Sequence, residues 1–355
     1  MKVLVLTPRV HTLEWALLWG ERPDQTLVGC KGSCRGEAEA RAILADISRQ
    51  LGTDVDAIAM RVPYGGPEFA TSAIATPEVI EKLEAVESQA PLHLPLVVSL
   101  VRASWETFAE TPVVLCFETG FFTALPMREQ VYAVDEEATG MEGLRRYGYH
   151  GIYHHGACVH ALSVRENRGR SPMAKVLSIC LEPRPEMAGA IGTRAIYVTS
   201  GATPLEGLPG RTTCGEIDPS IVLTLAQDLK MGPEEIDAVL SRDSGLSGLV
   251  GKRVTLEEVF TVERPNHKLA RDVMNYRMLM SAGAAVAVLG GLDVIVFSGR
   301  SAELGHIIGP WLLEHLHLRG TRANRAATYD IFTTPLERLM ADTAVAATLA
   351  PSPVN

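Results

Sequence analysis

Met1-Lys2-Val3-Leu4-Val5-Leu6 at the start of the chain and Ala174-Lys175-Val176-Leu177-Ser178-Ile179 halfway along open in the same way. Each is a short apolar run, rich in valine and leucine, that starts behind a lysine and closes at a proline, Pro8 or Pro183. Such runs read as buried strands. Two similar first strands half a chain apart predict an internally duplicated α/β protein with two related lobes and a ligand cleft between them.

The segments around these runs alternate between strand and helix. Residues 37–50 carry helical apolar spacing through Ala40, Ile43, Leu44 and Ile47 and close at Gly52. Residues 55–62 and 112–117 read as buried strands, and 77–89 as a helix with a proline in its first turn. In the second half, 175–181 and 190–199 read as strands paired in a hairpin, and 294–297 as the clearest buried strand. Helices are expected over 217–229, 233–241, 256–289 and 335–349. The alternation favours mostly parallel sheets with helical cover.

At 355 residues the chain exceeds what one core supports, so two domains are expected, 1–150 and 151–355, with the C-terminal helix able to return to the first. A net charge of -9 without a basic block argues against nucleic acid and against an anionic membrane surface as partners. No apolar stretch reaches the roughly 18 residues that span a bilayer, and the chain opens on a strand instead of a signal segment. A cytoplasmic protein is expected. The six cysteines show neither a disulfide framework nor a paired zinc-ligand pattern, and read as reduced structural thiols.

Four polar features sit at the ends of apolar runs, where α/β enzymes collect catalytic groups. They are Arg61 before Gly65-Gly66, Glu118 after Val114-Leu115-Cys116-Phe117, the run His150, His154, His155, His160, and the segment Thr203 to Leu208 with Gly215 to Pro219 beyond it. Each also has an ordinary explanation. A lone arginine at a strand end makes a surface ion pair, and Glu118 can cap a helix beginning near Phe121. His150 and His154 have helical i, i+4 spacing that suits a metal, yet no cysteine or carboxylate stands at ligand spacing beside them.

Taken together, these features resemble the acetate kinase family. Arg146-Tyr147-Gly148-Tyr149-His150-Gly151-Ile152-Tyr153-His154 is similar to its R-Y-G-F-H-G-T-S-H signature. Phe117-Glu118-Thr119-Gly120-Phe121 resembles F-D-T-A-F, Ala90 to Pro95 resembles A-P-L-H-N-P, and Arg61 to Gly66 resembles R-V-V-H-G-G. Thr203-Pro204-Leu205-Glu206-Gly207-Leu208 is identical to T-P-L-E-G-L. Gly215 to Pro219, Ser244 to Leu246 and Gly290 to Phe297 resemble G-D-I-D-P, S-G-L and G-G-V-D-A-I-V-F, all in the family's order. The resemblance implies a duplicated actin-like (ribonuclease H-like) α/β fold of two domains with an interdomain cleft.

It also implies reversible transfer of a phosphoryl group between ATP, with Mg2+, and acetate or a related short carboxylate, giving an acyl phosphate. By position, Arg61 binds the carboxylate, His150 stabilises charge on the transferring phosphoryl, and His93 and Pro204 line the substrate pocket. Glu118 stands at the family's essential aspartate, and Glu118 and Glu337 are its magnesium-associated carboxylates. A homodimer is implied as well.

The nucleotide-side positions differ from the family. Its N-x-G-S-S-S-x-K is here Thr7-Pro8-Arg9-Val10-His11-Thr12-Leu13-Glu14, so the lysine becomes an acid. H-L-G-N-G is replaced by Cys180-Leu181-Glu182-Pro183-Arg184, and G-I-G-E-N by Gly299-Arg300-Ser301-Ala302-Glu303. The arginine of M-G-T-R-S-G falls at Thr213, with Arg211 two residues earlier, and the D-M-R segment is absent around Lys252-Arg253. Thr7, Arg9, Arg184, Arg211, Gly299 and Arg300 are therefore the candidate nucleotide contacts. The four arginines either rebuild a cationic phosphate site or pair with Glu14 and Glu182. Three functions follow in order: an acetate kinase-type phosphotransferase, a family member that binds a small anion or a protein without turnover, and a metal-dependent hydrolase using the histidines.

Overall fold

The structure is a computed structural model that describes all residues except 10, 11, 21, 30–33, 35, 91, 141, 142, 168–170, 172, 182, 183, 317–326 and 350–355, with only the backbone of 22–29. Cys30, Pro91, Glu182, Pro183 and the C-terminal tail thus lie outside the described residues. The chain divides into two compact units, Met1–Thr123 with the segment from Thr334, and Ala124–Thr333.

In the first unit, strands β1 (Lys2–Pro8), β2 (Leu13–Trp19), β3 (Arg22–Gly29), β4 (Ala57–Val62), β5 (Ala73–Ile74) and β6 (Val113–Phe117) form one sheet ordered β3-β2-β1-β4-β6-β5. β1, β2 and β3 are antiparallel neighbours, whereas β1, β4 and β6 run parallel. Val3 to Leu6 and all five residues of β6 are buried, so both faces of these strands need cover. Helices Leu94–Thr107 and Leu336–Leu349 both pack on β4 and β6, and helix Glu37–Leu51 packs on the former. Its buried Ala40, Leu44 and Ile47 recur at helical spacing.

The second unit holds β7 (Lys175–Cys180), β8 (Glu186–Ile191), β9 (Arg194–Val198), β10 (Val294–Ser298) and β11 (Thr328–Ile331) in the order β11-β10-β7-β8-β9. β7, β8 and β9 are antiparallel, and β7, β10 and β11 are parallel. The plan of the first sheet is repeated: an antiparallel meander of three strands, then two parallel strands added to the first of them. The echo between residues 1–6 and 174–179 is therefore a duplicated sheet. Helix Gly151–Glu166 packs on β7 and β10, and helix Pro265–Leu289 packs on β7, β8 and β9. The latter buries His267, Ala270, Met274, Met278, Ala282, Ala285 and Leu289, a stripe three and four residues apart.

The compact units divide at 123/124, and beyond it Glu129 Oε1 accepts the Val198 N–H at 3.1 Å and Tyr132 donates to Glu206 Oε2 at 2.6 Å. Two expectations are corrected. Residues 190–199 are interrupted by a turn at Gly192 (φ 62°), so only Ala190 and Ile191 of that stretch pair with β7, and β9 lies beyond β8. Residues 256–289 form two helices, Leu256–Thr261 and Pro265–Leu289, because Pro265 cannot continue the first. Among the described residues no helix is long and apolar enough to cross a membrane.

Candidate functional site

In the first unit the parallel order of β4 and β6 sets Arg61 opposite Cys116 and Val62 opposite Phe117, so Glu118 emerges beside the end of β4. The Glu118 N–H donates to Val62 O at 2.9 Å, extending the ladder by one step. Arg61 Nε then donates to Glu118 Oε1 at 2.6 Å, with Arg61 12% and Glu118 1% exposed. This is the one hydrogen bond the guanidinium makes among the described residues. Its outer N–H groups face no protein acceptor there, which suits a planar anion gripped by two donors. The Gly65 N–H donates to Thr119 Oγ1 at 3.0 Å and holds the Gly65-Gly66 turn against this strand end. His93 stands half-buried at the N-terminus of helix Leu94–Thr107, and Glu337 half-buried in the first turn of helix Leu336–Leu349.

The histidines belong to the second unit. His150 is buried at the N-terminus of helix Gly151–Glu166, and its own side chain does not cap that helix. The cap comes from Glu186 at the start of β8. Its carboxylate accepts the Tyr149 N–H at 3.0 and 3.1 Å and the His150 N–H at 3.0 Å. One turn along the helix, His154 Nε2 lies 3.1 Å from Glu186 Oε1 and His154 Nδ1 2.8 Å from Ser178 Oγ, while the Ser200 hydroxyl donates to Glu186 Oε2. Burial drives the Glu186 carboxyl upward, but the His154 hydrogen bond, the charges of His150 and His154 and the Ser200 hydroxyl outweigh it. They hold it at about 2.

Ser178, His154 and Glu186 thus stand in the order of a hydrolytic triad. Ser178 is fully buried in the middle of β7, however, and no substrate can reach its oxygen. His154 has both ring nitrogens occupied by Ser178 and Glu186, which leaves neither for a metal. Among the described residues no three histidine, cysteine or acidic side chains converge on a possible metal site. A magnesium ion carried by one or two carboxylates, waters and phosphate needs no such cage. Cys34, Cys116, Cys158 and Cys214 are thiols, and burial pushes Cys116 and Cys158 up to about 12.

The two most specific sequence motifs are fastened to each other. Tyr147 N–H donates to Gly201 O at 2.9 Å, the Tyr149 hydroxyl donates to Ala202 O, and Arg146 Nη1 lies 2.7 Å from Glu206 Oε1. The Arg146 guanidinium also lies 5.2 Å from the centre of the Tyr132 ring. The loop carrying Pro204 therefore braces the segment that ends in His150. Pro204 itself is half-buried.

Among the nucleotide-side candidates, Thr7 is 2% exposed at the end of β1, and its Oγ1 has no hydrogen-bond partner among the described residues. Ser298 Oγ, at the end of β10 just before Gly299 (φ 86°), is buried and unpartnered in the same sense. Arg9 is engaged by Glu14, whose Oε2 it meets at 3.0 Å across the β1–β2 hairpin. Arg184 is half-buried, and burial lowers its pKa against the opposing pull of Asp237. Arg211 and Arg300 are exposed; Arg211 lies near Glu257, which also accepts the Ser301 hydroxyl at 2.6 Å.

The structure thus joins Arg61 to Glu118 in one unit and surrounds His150 with Glu186, His154 and Ser200 in the other. Glu186, Ser178 and Ser200 escaped the sequence reading. The signal for Glu186 was one acid opening an otherwise apolar run, Glu186-Met187-Ala188-Gly189-Ala190-Ile191.

A family model described as the Acetokinase family matches residues 35–335. An acetate kinase of Clostridium botulinum (strain Langeland) is 32% identical over 74% of this chain and 65% of its own length, and one of Halothermothrix orenii 31% identical over 77% and 69%. The chain therefore spans about two thirds of the length of the curated relatives it matches. Among solved structures, Porphyromonas gingivalis acetate kinase superposes with a TM-score of 0.85 at 23% identity, covering 98% of this chain and 99% of that one. A propionate kinase from Francisella tularensis does so at 0.83 and 23%, covering 97% and 99%. These likenesses establish the duplicated two-domain fold.

Proposed function

The chain belongs to the acetokinase family, and on that premise we propose that it transfers the γ-phosphoryl group of ATP to acetate or a related short carboxylate. A carboxylate oxygen attacks the γ-phosphorus, the bond to the β–γ bridging oxygen breaks, and acyl phosphate and ADP result. The supporting observation is the state of Arg61. Glu118 holds its Nε edge at 2.6 Å and fixes the guanidinium in orientation, while its outer donors have no protein acceptor among the described residues. That is the form of a carboxylate hook made rigid before its ligand arrives.

His150 supplies the cationic or hydrogen-bonding group for charge that grows on the phosphoryl oxygens. His93 and Pro204 complete the carboxylate side. The nucleotide falls to Thr7, Arg184, Arg211, Gly299 and Arg300, and magnesium to Glu118 and Glu337. Thr7 and Ser298, whose buried hydroxyls have no hydrogen-bond partner among the described residues, mark the two strand ends that this assignment uses. When bound, Mg2+ would neutralise phosphate charge and orient the γ-phosphoryl.

Self-association is proposed with it. Helix Pro219–Gln227 buries none of its residues and exposes Ile221 and Leu223, and helix Pro265–Leu289 exposes Leu269, Tyr276 and Met280. Light scattering that returned the mass of one chain would remove the dimer.

A second reading, a small-anion binder without turnover, is favoured by one observation. The turn after β1 is closed by its own residues, with Arg9 N–H bound to Thr12 O at 2.8 Å and the Arg9 side chain bound to Glu14. Hydroxylamine trapping separates the two. With ATP, Mg2+ and acetate, propionate or butyrate, the phosphotransferase yields the acyl hydroxamate in proportion to enzyme. No hydroxamate at high enzyme concentration with any of them leaves the binder.

A further inference from the structure

Glu186 is a buried charge that the proposed chemistry does not itself use. It is 1% exposed, yet its two oxygens collect the N–H groups of Tyr149 and His150, Nε2 of His154 and the hydroxyl of Ser200. The expense of removing a carboxylate from water is recovered only when every acceptor site is used in this way. The geometry is also particular in what it fixes. The first N–H groups of a helix have no partner within it, and His150 does not cap its own helix. Glu186 accepts the N–H groups of Tyr149 and His150, just ahead of the first helical residue, from a different element, β8, and a negative charge there is favoured by the helix dipole. Its bond to His154 adds a second hold one turn along. The two peptides that lead into the His150 Cα are thereby pinned to the sheet.

We propose that Glu186 is the positioning residue for His150, locking the first turn of helix Gly151–Glu166 to β8 so that the imidazole is presented in one orientation. The proposal rests on the phosphotransferase reading for its catalytic consequence, but not for its structural one. Displacement of a reacting group by about an ångström costs on the order of a hundredfold in rate. Losing this clamp should therefore lower kcat while leaving the carboxylate hook, Arg61, as it was.

The test compares wild type with Glu186→Gln and Glu186→Ala, each checked for folding by near-ultraviolet circular dichroism. Glu186→Gln keeps the shape and one acceptor, so it reports even where Glu186→Ala fails to fold. In protein labelled with 13C-histidine, the His150 ring resonance is identified by its loss in His150→Gln. It is expected to shift or broaden in Glu186→Gln. In the assay, kcat should fall about tenfold for Gln and about a hundredfold for Ala, with KM for acetate within about twofold of wild type. A purely structural glutamate would lower stability alone. Folded variants that keep both the wild-type His150 resonance and kcat would overturn the proposal. If wild type turns over no donor, the phosphotransferase reading fails, and the ring resonance still decides whether Glu186 positions His150.

Discussion

Glu118 and Glu186 are both 1% exposed, but their carboxyl groups find partners in the interior by different means. Glu118 is paired with a cation, Arg61, and shares with it the edge of a guanidinium. Glu186 is held by backbone N–H groups, an imidazole and a hydroxyl. The second arrangement has a consequence for acid stability. An unfolded glutamate titrates near 4.5, whereas folded Glu186 stays ionised down to about 2. A folded pKa below the unfolded one means that its stabilisation is complete above pH 4.5 and drains away as pH falls toward 2. The loss over that window should be about 3 kcal/mol. Urea denaturation at pH 5 and at pH 3 reads about 2 kcal/mol of it, and Glu186→Gln should flatten this arm. An equal slope in the variant would show that other carboxylates carry the acid transition.

At the scale of elements, position is set by loops tied to loops as much as by the sheets. Gly201 lies where the segment before His150 crosses the Thr203–Leu208 loop, and a Cβ there would sit inside the Glu206 carboxylate and against the Tyr132 hydroxyl. Gly201→Ala should therefore cost about 1–3 kcal/mol by overpacking, read as a lowered urea midpoint with unchanged slope. An unchanged midpoint would mean that the loop gives way freely. The T-P-L-E-G-L match was visible in the sequence, but its bracing of the R-Y-G-Y-H segment was not, since Tyr149 and Ala202 are 53 positions apart. Apolar runs announced β1, β4, β6, β7 and β10, all buried on both faces. Strand β2 was hidden because residues 7–14 were matched against a phosphate loop, when Thr7 in fact pairs with Glu14 across a hairpin. Strand β8 was hidden because Glu186 interrupts the apolar signal at the position where it does most.

For the whole molecule, the repeated sheet plan explains why two echoing strands were enough to indicate the fold. A parallel addition to the first strand of a meander, made twice, yields two units that can carry different residues at equivalent strand ends. Here the first unit holds the Arg61–Glu118 pair and the second holds the clamped His150. The pairing of Arg61 with a carboxylate from the neighbouring strand was not legible in sequence, where each residue had its own separate explanation. The central claim is the proposed phosphoryl transfer, for which Arg61 and His150 are each required. Its most direct test runs the reaction in reverse, as ATP formed from acetyl phosphate and ADP with Mg2+ in wild type, Arg61→Ala and His150→Ala. The account predicts ATP from wild type, with at least about a hundredfold less from either variant while each remains folded. ATP formation that persisted undiminished in both folded variants, or none from wild type, would contradict it.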